Sequence, residues 1–193
     1  ALIRLEQEGL LQQMPSGGFA VRKFSEADVA DAIELRGTVE GLAARMAAER
    51  GTSEQNLEQA NECLDQIDLL LREPVLHEEA FSRYVDLNAQ FHTLLGGFSA
   101  SPVIQRELER VGSLPFASPS GFVGVQANSP QARDMLIVAQ DQHRQVMQAI
   151  AQREGARAEA LMREHSRLAQ RNLREAVRSS LHLPGVHLIS PSS

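Results

Sequence analysis

The chain contains no tryptophan, one tyrosine, one cysteine and, at Lys23, one lysine. A lone cysteine, Cys63, excludes an internal disulfide framework and fits a reducing, cytoplasmic setting. No apolar run approaches the roughly 18 residues of a membrane span, so none of the chain is expected to cross a bilayer. The first residues also lack the basic end and apolar stretch of a signal peptide. Positive charge is scarce: the net charge is -6 and the isoelectric point about 5.5. A surface that coats nucleic acid should be basic, so any DNA contact must come from a local patch or from sequence outside this chain. Proline and glycine gather at a few places instead of spreading, which suits long helices separated by short breaks.

What is present is enough for one full domain and a fragment. The 193 residues are 42% hydrophobic, an ordinary globular content, with aromatics at only 4%. Residues 1–9 read as the end of an amphipathic helix, with Leu2 and Leu5 inward and Gly9 as its stop. Two short alternating stretches then flank Pro15-Ser16-Gly17-Gly18, a hairpin signal. A helix end followed by a small hairpin is the second half of a winged helix-turn-helix. Ser25, with acids after it, caps a helix that should run to about Arg50 and close at Gly51. Its inner stripe is Val29, Ala32, Ile33, Val39, Ala43 and Met46, with Arg36 on or beside it.

Thr52-Ser53 caps a second helix facing inward through Leu57, Leu64, Ile67 and Leu71, and Pro74 interrupts before a third that ends around Gly96-Gly97. Ser101-Pro102 starts a shorter helix to about Val111. Residues 113–130 read as a loop closed by a second Ser-Pro cap at Ser129-Pro130. A fifth helix faces inward through Leu136, Ala139, His143, Val146, Met147 and Ile150. A sixth does so through Ala158, Leu161, His165, Leu168, Ala169 and Leu173. The expected division is 1–24 as a DNA-binding remnant, 25–180 as the helical domain and 181–193 as a loose tail holding His182 and His187.

The third helix carries the most informative pattern. At helical spacing Phe81, Tyr84, Val85, Asn88, Phe91, His92 and Leu95 share one face. Asn88 and His92 are thus polar groups aimed into an apolar interior, where a group without a partner costs a few kcal/mol. His143 and His165 face inward from two other helices. One metal ion would satisfy three such imidazoles together, and imidazole nitrogen suits zinc, nickel, copper or iron. A hydrogen-bonded core histidine is the bland alternative for each taken alone. His77 reads as a surface residue.

From about Ser25 to Ser179 the chain resembles the FCD ligand-sensing domain of GntR-type bacterial regulators. The matching pieces are Glu34-Leu-Arg-Gly-Thr-Val-Glu40, Asn88-Ala-Gln-Phe-His92, and His143-Arg-Gln-Val-Met-Gln-Ala-Ile150 followed 22 residues after His143 by His165. Residues 1–11 and 16–21 look like the end of the recognition helix and the wing of such repressors, with Gly17 and Gly18 at the wing. The resemblance implies an all-α antiparallel bundle of six to seven helices after a truncated winged-helix domain. It also implies a divalent metal, zinc or nickel first, held by Asn88, His92, His143 and His165. The family pattern is usually Asp-x-x-x-His; asparagine here offers a neutral, poorer ligand. A neutral set of four leaves the metal charge uncompensated, so the expected effector is a small organic or aromatic acid, with Arg36 pairing its carboxylate. An internal pair between Arg36 and Glu40 is the competing reading. The chain looks most like the vanillate-responsive branch.

The function implied is DNA-binding transcriptional regulation, as a homodimer on operator DNA, with the effector changing operator affinity. The rival is a metalloenzyme with a three-histidine site. Against it stand the lack of a Glu-x-x-His pair or zincin motif and the absence of an acid placed beside these histidines, since Glu164 points to the side of His165.

Overall fold

The structure, a computed structural model, describes Leu2 and residues 11–21, 24–73, 76–114, 132–178 and 188–189. The expected helix stop at Gly9, the Pro74 break, the Ser129-Pro130 cap, the two tail histidines and most of the 113–130 loop lie outside these residues. Strands β1 (Leu11–Gln13) and β2 (Phe19–Val21) form an antiparallel hairpin in the register Leu11↔Val21. Its turn requires left-handed backbone, which Gly17 (φ 86°) and Gly18 (φ 87°) adopt without a Cβ penalty. A two-residue strand β3 (Phe24–Ser25) pairs in parallel with β4 (Leu188–Ile189).

Six helices make up the rest of the described chain: α1 (Glu26–Arg50), α2 (Glu54–Arg72), α3 (Glu78–Phe98), α4 (Pro102–Gly112), α5 (Ala132–Ala151) and α6 (Gly155–Arg178). The fold class is the all-α bundle expected. Helix α1 begins with a reciprocal cap, in which the Asp28 backbone N–H donates to Ser25 Oγ and the Ser25 backbone N–H donates to Asp28 Oδ2. It ends at Gly51, whose φ of 88° only glycine adopts cheaply. Ser53 and Ser101 cap α2 and α4 one way only, their hydroxyls accepting from the Asn56 and Ile104 backbone N–H. None of the described helices is long and apolar enough to cross a membrane.

The core is a continuous cluster in which Leu64 and Ile67 of α2, Tyr84, Leu87 and Phe91 of α3, Ile150 of α5 and Met162 of α6 are fully buried. Helix α3 ends at Phe98, one residue past Gly96-Gly97, the expected end. A Cβ at Gly96 would lie 2.7 Å from Leu108 Cδ1, so this glycine serves the approach of α4 and does not terminate the helix. One element differs from the sequence expectation: on α1 the buried face is richer in small and charged residues than its apolar stripe suggests. Gly37, Gly41, Ala44, Ala47 and Ala48 are buried with Arg36 and Glu40, while Ala32, Val39 and Met46 are half-buried. Small residues there let α6 lie close along α1.

Gly37 is the tightest point of that contact. A Cβ there would sit 2.0 Å from Ser166 Oγ and 2.4 Å from Ser166 Cβ, and the second atom cannot swing away. Overpacking of this kind costs about 1–3 kcal/mol, more than the roughly 1 kcal/mol that alanine adds to helix propensity. Gly37→Ala is therefore expected to lower the urea midpoint at unchanged slope. Adding Ser166→Gly should restore part of the loss, and a neutral Gly37→Ala would refute the close approach.

Candidate functional site

Four helices bring polar side chains to one buried place. Helix α1 contributes Arg36 and Glu40, α3 contributes His92, α5 contributes His143 and α6 contributes His165, all of them buried. Each stands on the inward stripe of its helix, among residues such as Phe91, Val146 and Met162 that seal it from water. The three imidazoles crowd together. Ring centroids are 5.4 Å apart for His92 and His143, 5.3 Å for His92 and His165, and 4.4 Å for His143 and His165. One ligand nitrogen from each ring lies within 4.8 Å of the other two.

The outer edge of every ring faces an oxygen. Nδ1 of His92 is 2.8 Å from Glu40 Oε1, Nδ1 of His143 is 3.2 Å from Gln140 Oε1, and Nδ1 of His165 is 3.3 Å from Gln142 Oε1. An imidazole whose Nδ1–H donates outward carries a lone pair on Nε2. The inner edge fits that assignment at His92, whereas between His143 and His165 one Nε2 must carry a proton unless an ion takes its place. His143 Nε2 and His165 Nε2 face each other at 3.2 Å, and His92 Nε2 is buried with no hydrogen-bond partner among the described residues. Outer oxygens fixing the tautomer and inner nitrogens left bare are the arrangement that metal-binding histidines need.

Electrostatics favour neutral rings at His143 and His165. Burial, followed by the charges of His165 and His92, pushes His143 well below the usual histidine value. Burial, then His92, pushes His165 down to about 3, although Glu40 pulls the other way. Burial alone would raise the Glu40 carboxyl, but the adjoining His92 ring and the Arg36 guanidinium hold it at about 2. Arg36 Nε lies 3.3 Å from Glu40 Oε2, one turn along α1, so these two form a buried ion pair.

The structure thus unites His92, His143 and His165 as the sequence suggested. Asn88 is buried on α3 one turn before His92. Arg36 is in the same interior, paired with Glu40. Gly17 and Gly18 sit at the hairpin tip. The acid that sequence reasoning did not place beside the histidines is Glu40, which corrects the picture of an entirely neutral surrounding. The available signal was its i, i+4 spacing from Arg36, which shows that two charges share one stripe. Gln140 and Gln142 were missed as well. Beside His92, but not lined by His143 or His165, lies a cavity of about 360 Å³ walled by Arg36, Glu40, His92, Thr93, Gln105 and Glu109 with Ala89, Gly96 and Leu108.

A profile of the FCD domain matches residues 31–168, most of the chain and all four helices that build this site. The chain belongs to the FCD domain family. Similar solved structures include E. coli McbR/YncC, at 14% identity over 93% of this chain and 78% of that one, with a TM-score of 0.66. Streptococcus agalactiae GntR is 16% identical over 88% of this chain and 78% of its own, with a TM-score of 0.54. A third, at 13% identity over 90% and 77% with a TM-score of 0.63, is Lar, described as controlling expression of the Listeria monocytogenes agr system. At these identities the likeness concerns the fold. Comparison with curated protein sequences gives no match. For an FCD domain, the position of the site is set by α1, α3, α5 and α6 together, which is why no single motif of this chain contains it.

Proposed function

We propose that this FCD domain is the sensing part of a transcriptional regulator, acting as a repressor, and that it binds a divalent metal through Nε2 of His92, His143 and His165. The observation that carries the metal reading is the convergence of one nitrogen from each of three rings, each with an Nδ1 that faces an oxygen. Without an ion, one of the facing Nε2 atoms of His143 and His165 must carry a proton, and buried His92 Nε2 lacks a partner among the described residues. Zinc or nickel suits an all-imidazole donor set, with the Asn88 amide oxygen as the proposed neutral fourth ligand. A bound divalent ion supplies an electrophilic centre to which a carboxylate can attach.

The effector in this reading is a small organic or aromatic carboxylic acid, of the vanillate kind, held in the 360 Å³ cavity beside His92. Its carboxylate competes with Glu40 for Arg36. Glu40 already supplies one negative charge near the metal, so the acid need not provide all the compensation. Support for regulation comes from the FCD domain itself and from the fold shared with Lar, which controls expression. The hairpin that precedes α1 is proposed as the wing of a DNA-binding domain, Gly17 and Gly18 at its tip, working in a cytoplasmic homodimer on two operator half-sites. Helix α1 would couple the two functions, because it leaves the hairpin and carries Arg36 and Glu40 into the site.

The test is metal content per chain in protein purified without a histidine tag, compared with His143→Ala. About one metal per chain, lost in the variant, is expected. Aromatic acids should then raise the melting temperature of the loaded wild type alone. No metal in either protein would refute the metal site and leave the fold assignment untouched.

A further inference from the structure

The three outer oxygens are not equivalent. Glu40 is a carboxylate that can only accept, and the Gln142 amide could face His165 with either its oxygen or its nitrogen, but the amide of Gln140 is fixed at both ends. Its Nε2 donates to the Leu64 carbonyl oxygen at 2.9 Å and to Asp68 Oδ1 at 2.7 Å, both on α2. Two acceptors on one side leave no choice of amide orientation, so Oε1 must face His143. Asp68 is in turn held by the Arg144 guanidinium, which also binds Asp65. Gln140 and Leu64 are buried, so water does not compete for the bond to the Leu64 carbonyl, while the half-exposed Asp68 is held by Arg144.

We infer that Gln140 is a positioning residue: it locks His143 in the Nδ1–H tautomer, with Nε2 bare, whether or not a metal is present, and anchors that ring to α2. The consequence falls on His165. Facing a His143 Nε2 that can only accept, His165 must donate its Nε2–H across the 3.2 Å gap when no ion is bound, with the Gln142 amide turned to donate to Nδ1. Metal binding then requires only His165 to exchange its tautomer and the Gln142 amide to turn over, while His143 stays as it is. One histidine is therefore preset and one is switchable.

The metal arm of this inference rests on the proposed metal site; the ring-tautomer arm does not. Long-range proton–nitrogen NMR of ring-labelled protein distinguishes the protonated from the bare nitrogen of each histidine. In metal-free wild type, His143 is expected with a protonated Nδ1 and bare Nε2, and His165 with the reverse. Gln140→Met, equal in length but unable to hydrogen-bond in this way, should lose that fixed pattern at His143 while keeping its helical circular dichroism. Gln142→Met should leave His143 unchanged. Zinc added to wild type should change His165 alone in tautomer, and Gln140→Met should weaken zinc binding about 10- to 100-fold. A protonated Nε2 on His143 in metal-free wild type would overturn the assignment even if no variant folds. So would an unaltered His143 pattern in folded Gln140→Met. Failure of the wild type to bind zinc, with the His143 pattern as expected, would remove the metal reading and uphold the role of Gln140.

Discussion

Glu40→Ala should lower folding stability by about 3–5 kcal/mol, the range for removing one partner of a buried ion pair. Arg36 and Glu40 are 3% and 4% exposed, so the guanidinium that loses its carboxylate cannot turn to solvent. The same substitution removes the oxygen that faces His92 Nδ1. Two consequences of one deletion therefore add on the same side. Glu40→Gln should cost less, because an amide oxygen still accepts from the imidazole while only the charge is lost. Replacing both partners by methionine should recover much of the difference, since well-packed apolar pairs often match a buried ion pair. Urea unfolding of the four proteins decides it. A Glu40→Ala variant within 1 kcal/mol of wild type would mean that the pair is solvated in solution.

Acid should unfold the metal-free protein from an unusually high starting point. His143 and His165 are lowered in the folded state from the usual 6.5, His165 to about 3. Below pH 6.5 the unfolded chain therefore binds protons that the folded chain refuses. Stability is complete above 6.5 and falls as the pH drops towards the folded values, by at most roughly 1.4 kcal/mol per histidine for each pH unit. Glu40 adds to this below 4.5, since its folded carboxyl holds out to about 2. Urea midpoints measured between pH 7.5 and 4.5 should fall steadily, and His143→Phe should flatten the slope. A bound divalent metal should shift the decline to lower pH, because protons must then displace it. A wild-type midpoint independent of pH from 6.5 to 4.5 would show that these rings are not buried as neutral imidazoles.

Much of the architecture is legible in the amino-acid sequence because it depends on local rules. Ser25, Ser53 and Ser101 are chemically committed N-caps, and the structure uses each as one. Helical periodicity placed Asn88, His92, His143 and His165 on inward faces, and all four are buried. Local rules placed the end of α3 within a residue but left a second use of glycine unseen. Gly96 has the composition of a helix stop, but its missing Cβ makes room for Leu108 on another helix, a fact with no local trace.

By itself, the sequence determined that an α-helical domain buries three histidines, because periodicity fixes which face of each helix is apolar. Only the tertiary structure decided that one ring nitrogen of each meets within 4.8 Å, since that depends on how four helices are rotated and spaced against one another. It also decided which oxygens stand behind the rings. Glu40, Gln140 and Gln142 are residue types that usually lie on solvated faces. Their partners stand 52, 3 and 23 residues away along the chain, and only packing brings the most distant of them into hydrogen-bond range.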